Sequence, residues 1–202
     1  MKIAMRGLLI LSGAVLLLAG CAPSEPAVDT GPDFRPVATI REIMNYQIDP
    51  SADAIWASVA TVVDLDGVHE EYPETEDEWD VVRAHTMRII EGVNLLLMPG
   101  RQVAQPGIRS EFPEIELHPE QVQELIDGDR ATFTEYAMGL HERASATLAA
   151  IDARDVDGLL ASGEMLDVAC ERCHLHYWYP NDTTAREQFE ESERLRQEAG
   201  IE

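Results

Sequence analysis

The sequence predicts an all-α fold, an antiparallel four-helix bundle. Three observations carry that expectation. Apolar residues recur at steps of three and four through residues 37–180, the period of a helix with one buried face. Proline and glycine punctuate the pattern at its breaks, at Asp49-Pro50-Ser51, Pro99-Gly100 and Pro119. No segment shows the apolar–polar alternation of a half-buried strand, and there is no internal repeat or glycine-rich phosphate loop. Four amphipathic helices with little else bury their stripes against one another, which makes a bundle.

The elements follow in order. Lys2 and Arg6 precede an apolar run, Gly7 to Ala19, that closes on Leu18-Ala19-Gly20-Cys21. A charged start, a short apolar stretch and small residues at the end describe an export signal over residues 1–20 rather than a membrane span. The ending resembles the lipobox of bacterial lipoproteins, which implies lipidation of Cys21. Position 22 is alanine rather than the aspartate that retains many lipoproteins at the inner membrane, so the expected location is the outer membrane, facing the periplasm. Residues 21–36 carry four prolines and read as an extended tether.

The helical domain spans 37–180. Its first helix places Val37, Ile40 and Met44 on one face, is interrupted at Asp49-Pro50-Ser51, and resumes with Ile55, Trp56, Val59, Val62 and Val63. The second opens on Thr75-Glu76-Asp77-Glu78, a capping box, and runs Trp79, Val82, Thr86, Ile89, Val93, Leu96 to a stop at Pro99-Gly100. Residues 100–117 form a long connection. The third helix starts at Pro119 and continues through Val122, Leu125, Phe133, Tyr136, Leu140, Ala144, Leu148 and Ile151. The fourth, from about Asp155 to about Trp178, carries Leu159, Leu166, Cys170 and Cys173. Residues 181–202 are a charged tail, expected as a solvated helix.

The chain carries a formal net charge of −23, and loss of Lys2 and Arg6 with the leader makes the remainder more acidic still. Lys2 is the only lysine. Such a surface excludes nucleic acid and adsorption to anionic lipid headgroups, and favours basic partners or a highly hydrated surface suited to salt.

Cys170-Glu171-Arg172-Cys173-His174 is a C-x-x-C-H motif, the attachment signature of a c-type haem. Two thiols form thioethers to the porphyrin, and the neighbouring imidazole reaches the iron. On a helix, positions 170, 173 and 174 project from one side. A thioredoxin-like redox pair, half a zinc site and chance compete for the same five residues. The redox reading wants a strand-then-helix context, and the zinc reading wants a second ligand pair. The only other cysteine is Cys21, so no cysteine remains for a disulfide. An export signal fits haem attachment, which takes place outside the bacterial cytoplasm.

An export signal, four helices and a C-x-x-C-H late on the last helix resemble the class II c-type cytochromes, the cytochrome c′ superfamily, over about residues 37–180. The resemblance implies one covalent haem c held by Cys170 and Cys173, with His174 as proximal iron ligand, lying against the first and third helices. Low-spin relatives take a distal methionine from the first helix. Arg41-Glu42-Ile43-Met44 resembles that segment, which makes Met44 the candidate distal ligand and Arg41 a candidate partner for a haem propionate. A thioether opposite histidine raises the reduction potential, as an electron carrier requires. Family members often carry an arginine shortly after the motif histidine, whereas this chain reads Leu175-His176-Tyr177-Trp178-Tyr179.

His69, His85, His118 and His141 read as structural or solvent-facing residues that compete with Met44 for the sixth iron position, and His176 is too near His174 in sequence to reach the opposite face. The aromatic run 177–179 is expected to pack at a haem edge or close the bundle end. No catalytic constellation is found, so no enzyme is expected. The expected function is monohaem electron transfer with a redox partner protein, expected to be basic. The alternatives are a five-coordinate cytochrome binding nitric oxide or carbon monoxide, and a structural or interaction lipoprotein without haem. Outer helix faces leave a homodimer open.

Overall fold

The structure, a computed structural model, describes residues 34–200. The export signal, Cys21 and the tether through residue 33 lie outside the described residues. Thr39 opens the first helical segment with a capping box. Its hydroxyl accepts from the Glu42 amide at 3.2 Å, and Glu42 Oε2 accepts from the Thr39 amide at 2.8 Å. α1 (Ile40–Ile43) passes into a π-helical turn, Met44–Ile48, and then into α2 (Asp49–Trp56).

The expected interruption at Asp49-Pro50-Ser51 is therefore a widened turn. Pro50 has no N–H to offer the Tyr46 carbonyl, and in a regular helix its ring would strike that oxygen. In the π turn the Asp49 amide instead donates to the Met44 carbonyl, one residue further back than in an α-helix. The core residues record the change. Ile40, Ile43, Ile48, Ser51, Ala52 and Ile55 are buried, and the step of five from Ile43 to Ile48 keeps both isoleucines inside.

Val62 and Val63 depart from the expected helical stripe. They lie in β1 (Ala60–Asp64), which pairs antiparallel with β2 (Gly67–Glu71) in the register Val63↔Val68 and Asp64↔Gly67. The β-branched run Thr61-Val62-Val63 suits a strand, and Asp66-Gly67 is a turn signal, with Gly67 at φ 136° where a side chain would be strained. Val63, Leu65 and Val68 are exposed, so the hairpin adds little to the core.

α3 (Glu76–Leu96) matches the reading residue for residue. Thr75 and Glu78 form its capping box, and Trp79, Val82, Thr86, Ile89, Val93 and Leu96 are buried. The single helix expected from Pro119 to Ile151 is two, α4 (Pro119–Gly128) and α5 (Arg130–Ala153). Asp129 leaves helical geometry between them and caps α5, its carboxylate accepting from the Thr132 amide at 3.0 Å. That break buries Ile126 in place of Leu125. α6 (Val156–Tyr177) is capped by Asp155 and ends at Trp178. α7 (Thr183–Ala199) has no buried residue and lies on α6 through polar contacts.

α3 packs along α5, α5 along α6, and α2 against both α3 and α6. The result is a mostly helical fold with one small two-stranded sheet. Its core is built from fully buried Ile55, Ile89, Val93, Leu96, Ile126, Ile151, Leu159 and Leu166, each contributing about 1.5–3 kcal/mol by burial.

The connection 100–117 is anchored at several points. The Ile40 and Arg41 amides donate to the carbonyls of Gln102 and Val103, each at 2.9 Å, and the Leu117 amide donates to the Trp178 carbonyl at 2.8 Å. Buried Arg101 fastens the start of this connection. Its guanidinium donates to the Leu95 carbonyl at 2.5 Å, to the Ala38 carbonyl and to the Met98 sulfur.

Candidate functional site

Cys170, Cys173 and His174 lie on the last turns of α6, spaced so that they share one side of the helix. Both thiols are partly buried and pack against the core. Burial pushes the Cys170 thiol up to about 12, aided by the charges of Asp167, Cys173, Asp49 and Glu171. Burial alone pushes Cys173 up to about 12. These thiols stay protonated at neutral pH. A redox-active pair has the opposite character, a lowered thiol pKa at a helix N-terminus, whereas this pair sits near a C-terminus where the dipole disfavours a thiolate.

Burial holds His174 down at about 4, so its imidazole is neutral at pH 7, the form that ligates metal. Two rings fix it. Trp178 meets it edge-on with centroids 5.2 Å apart, and Tyr179 lies 5.8 Å away. The Tyr179 hydroxyl donates to Glu171 Oε2 at 2.6 Å, tying the ring to a residue inside the motif. Trp178 and Tyr179 thus pack on His174 and on each other at the end of α6, with ring centroids of the two 5.1 Å apart. Beside it, Tyr177 packs edge-on to Phe133 and Tyr136 of α5, with centroids 5.6 and 5.9 Å apart. Its hydroxyl is buried and has no hydrogen-bond partner among the described residues, and burial raises the phenol to about 12.

The first helical segment runs antiparallel to α6. The Trp56 indole donates to the Gly163 carbonyl at 3.0 Å, and Asp49 is near enough to act on Cys170. Met44 is half-buried against the core. At this level the segment packs chiefly on α3, while α2 below it packs on α6.

Arg41 of α1 is partly exposed. Its guanidinium donates to Glu111 Oε1 at 3.0 Å, which ties it to the 100–117 connection. The remaining histidines are placed elsewhere. His85 on α3 has its Nδ1 3.4 Å from the Ser51 hydroxyl, and burial, with the Arg88 charge, lowers its pKa. His118 is the residue before α4 and lies 3.2 Å from the Ser110 hydroxyl, His141 lies beside Ser145, His69 is on the hairpin, and exposed His176 stacks on Tyr136.

Two functional features escaped the sequence reading. The closure of the motif end by Leu117 carries no local signal. The π turn does carry one, the five-residue gap between Ile43 and Ile48 ahead of a proline.

A covalently held haem fits these residues on their chemistry. Two protonated thiols and one neutral, ring-fixed imidazole share a side of α6, and a buried hydroxyl one turn beyond Cys173 lacks an acceptor, which a bound group can supply. Among the described residues no three His, Cys, Asp or Glu side chains are grouped as a metal cluster, and no helix is long and apolar enough to cross a membrane. Comparison with protein families, characterised proteins and solved structures found no match to this chain.

Proposed function

We propose that this chain is a class II c-type cytochrome: a four-helix bundle formed by the 40–56 segment, α3, α5 and α6, carrying one covalent haem c and transferring electrons. The observation that carries the reading is the state of the motif. Cys170 and Cys173 are held as protonated thiols beside a neutral His174, all on one side of the helix end, beneath an aromatic and loop closure. That is a poor dithiol catalyst and a suitable attachment site.

In this reading Cys170 and Cys173 would hold the haem through thioethers and His174 would ligate its iron, with the ring orientation set by Trp178 and Tyr179. Met44 would be the candidate for the second iron ligand. The haem, when bound, supplies a one-electron iron couple. The chain's own contribution is to fix the axial residues, exclude water with Trp178, Tyr179 and the 100–117 connection, and raise the potential through the thioether. Lipidation at Cys21 keeps the domain at the periplasmic face of a membrane, the outer membrane favoured, where its acidic surface suits a basic redox partner.

The absorbance spectrum of the purified ferric protein tests this. A low-spin iron with a methionine–sulfur band at the red edge, abolished by Met44→Ala, is expected. A high-spin spectrum unchanged by Met44→Ala would replace electron transfer with gas binding at an open iron. Absence of a covalent haem stain on a denaturing gel would end both.

A further inference from the structure

The π turn at Met44–Ile48 is unlike every other helical turn among the described residues, and it is pressed against one glycine. Gly92 of α3 faces it so closely that a Cβ built there would lie 2.8 Å from Ile48 Cγ1 and 3.1 Å from Gln47 Nε2. No real side chain tolerates the first distance without displacement of its neighbour. Beside this contact the Gln47 amide donates to the Arg88 carbonyl of α3 at 2.9 Å. Ile48 is buried at 2% exposure. The turn is thus seated by a close approach, a buried isoleucine and one directed hydrogen bond, all on α3.

This seat bears on the rotation of the segment upstream of the turn, Met44 included. An α-helix advances about 100° per residue, so one extra residue in a turn rotates everything upstream by about that angle relative to α2. Met44 is the first residue of the widened turn, and its carbonyl accepts from the Asp49 amide across it. Without the widening, the core step after Ile43 would fall on Gln47 instead of Ile48, and Met44 would leave its present direction. Pro50 forces the turn open, and Gly92 makes room for it.

We propose that Gly92 and Gln47 are positioning residues for the distal ligand: α3 holds the π turn in the one rotation that presents the Met44 thioether to the site of His174. The proposal rests on the His174/Met44 reading above. It explains why a glycine interrupts a buried helical seam, where it costs about 1 kcal/mol relative to alanine.

The test compares ferric spectra and reduction potentials of haem-bearing wild type, Met44→Ala, Gly92→Ala and Gln47→Ala, with covalent haem content and helical circular dichroism measured on each. Gly92→Ala is expected to keep its haem and helicity yet lose most of the methionine–sulfur band, approaching Met44→Ala, with a lowered potential. Gln47→Ala, at a partly exposed site with little risk to folding, is expected to lose part of the band. If Gly92→Ala does not fold, the Gln47→Ala spectrum decides. Full retention of band and potential in every folded clamp variant, while Met44→Ala abolishes the band, would overturn the proposal and leave the ligand reading standing. A Met44→Ala spectrum identical to wild type would overturn both.

Discussion

Tyr177 buries a phenol oxygen without an acceptor, and such a group is costly to keep. Tyr177→Phe removes the cost and keeps the rings against Phe133 and Tyr136. In haem-free protein this substitution is expected to be neutral or stabilising by about 1 kcal/mol, read from urea unfolding. A clear loss of stability would show that the hydroxyl is satisfied. His85 and His174 supply a second expectation. Burial holds both below the ordinary value of 6.5, His174 at about 4. As pH falls below 6.5 the unfolded chain takes up protons that the folded chain refuses, so stability declines with falling pH, most of it before the carboxylates titrate. Haem-free protein should therefore unfold at lower urea at pH 5 than at pH 7.5, and His85→Gln should lessen the difference. Equal midpoints at the two pH values would refute this.

Among the elements, α7 has the weakest hold. Arg172 inside the motif pairs with Glu193 at 3.0 Å, Arg196 with Glu164 of α6 at 3.8 Å, and Arg186 donates to the Leu175 carbonyl at 3.2 Å. No α7 residue is buried, and exposed ion pairs contribute at most about 1 kcal/mol each and are screened by salt. Hydrogen exchange in α7 should accelerate on going from low to high salt while α6 stays protected. Protection of α7 equal to that of α6 in high salt would mean that packing, not charge, holds it. Element by element, the sequence was readable where local chemistry and burial agree. Thr75 and Glu78 announce α3, and Asp155 announces α6. Reading failed where a second signal competed. Val62 and Val63 fit a helical stripe, yet β-branching and Asp66-Gly67 send them into a hairpin. Gly128-Asp129 splits a continuous stripe because Asp129 gains more as a cap than as a helical residue. Pro50 signals a break in the helix, and its effect is a wider turn rather than a stop.

At the scale of the whole molecule, the candidate site is legible because its motif residues are neighbours in sequence. Cys170, Cys173 and His174 need only a helix to converge. Their surroundings were not legible, because Leu117, which bonds the Trp178 carbonyl, and Asp49, which acts on Cys170, arrive from distant parts of the chain. Arg41 and Glu111, which tie α1 to the 100–117 connection, are 70 residues apart in sequence. Closing loops of that length carries an entropic penalty that adjacent helices do not face, and contacts of high sequence separation slow folding. The hairpin and the α5–α6 pair form from neighbouring segments. The cover over the motif requires the 100–117 connection to find both α1 and the end of α6. Order of assembly is the expected consequence: the helix bearing the thiols can be complete while its cover is still open, which on the proposed reading is the interval in which Cys170 and Cys173 would be accessible for haem attachment.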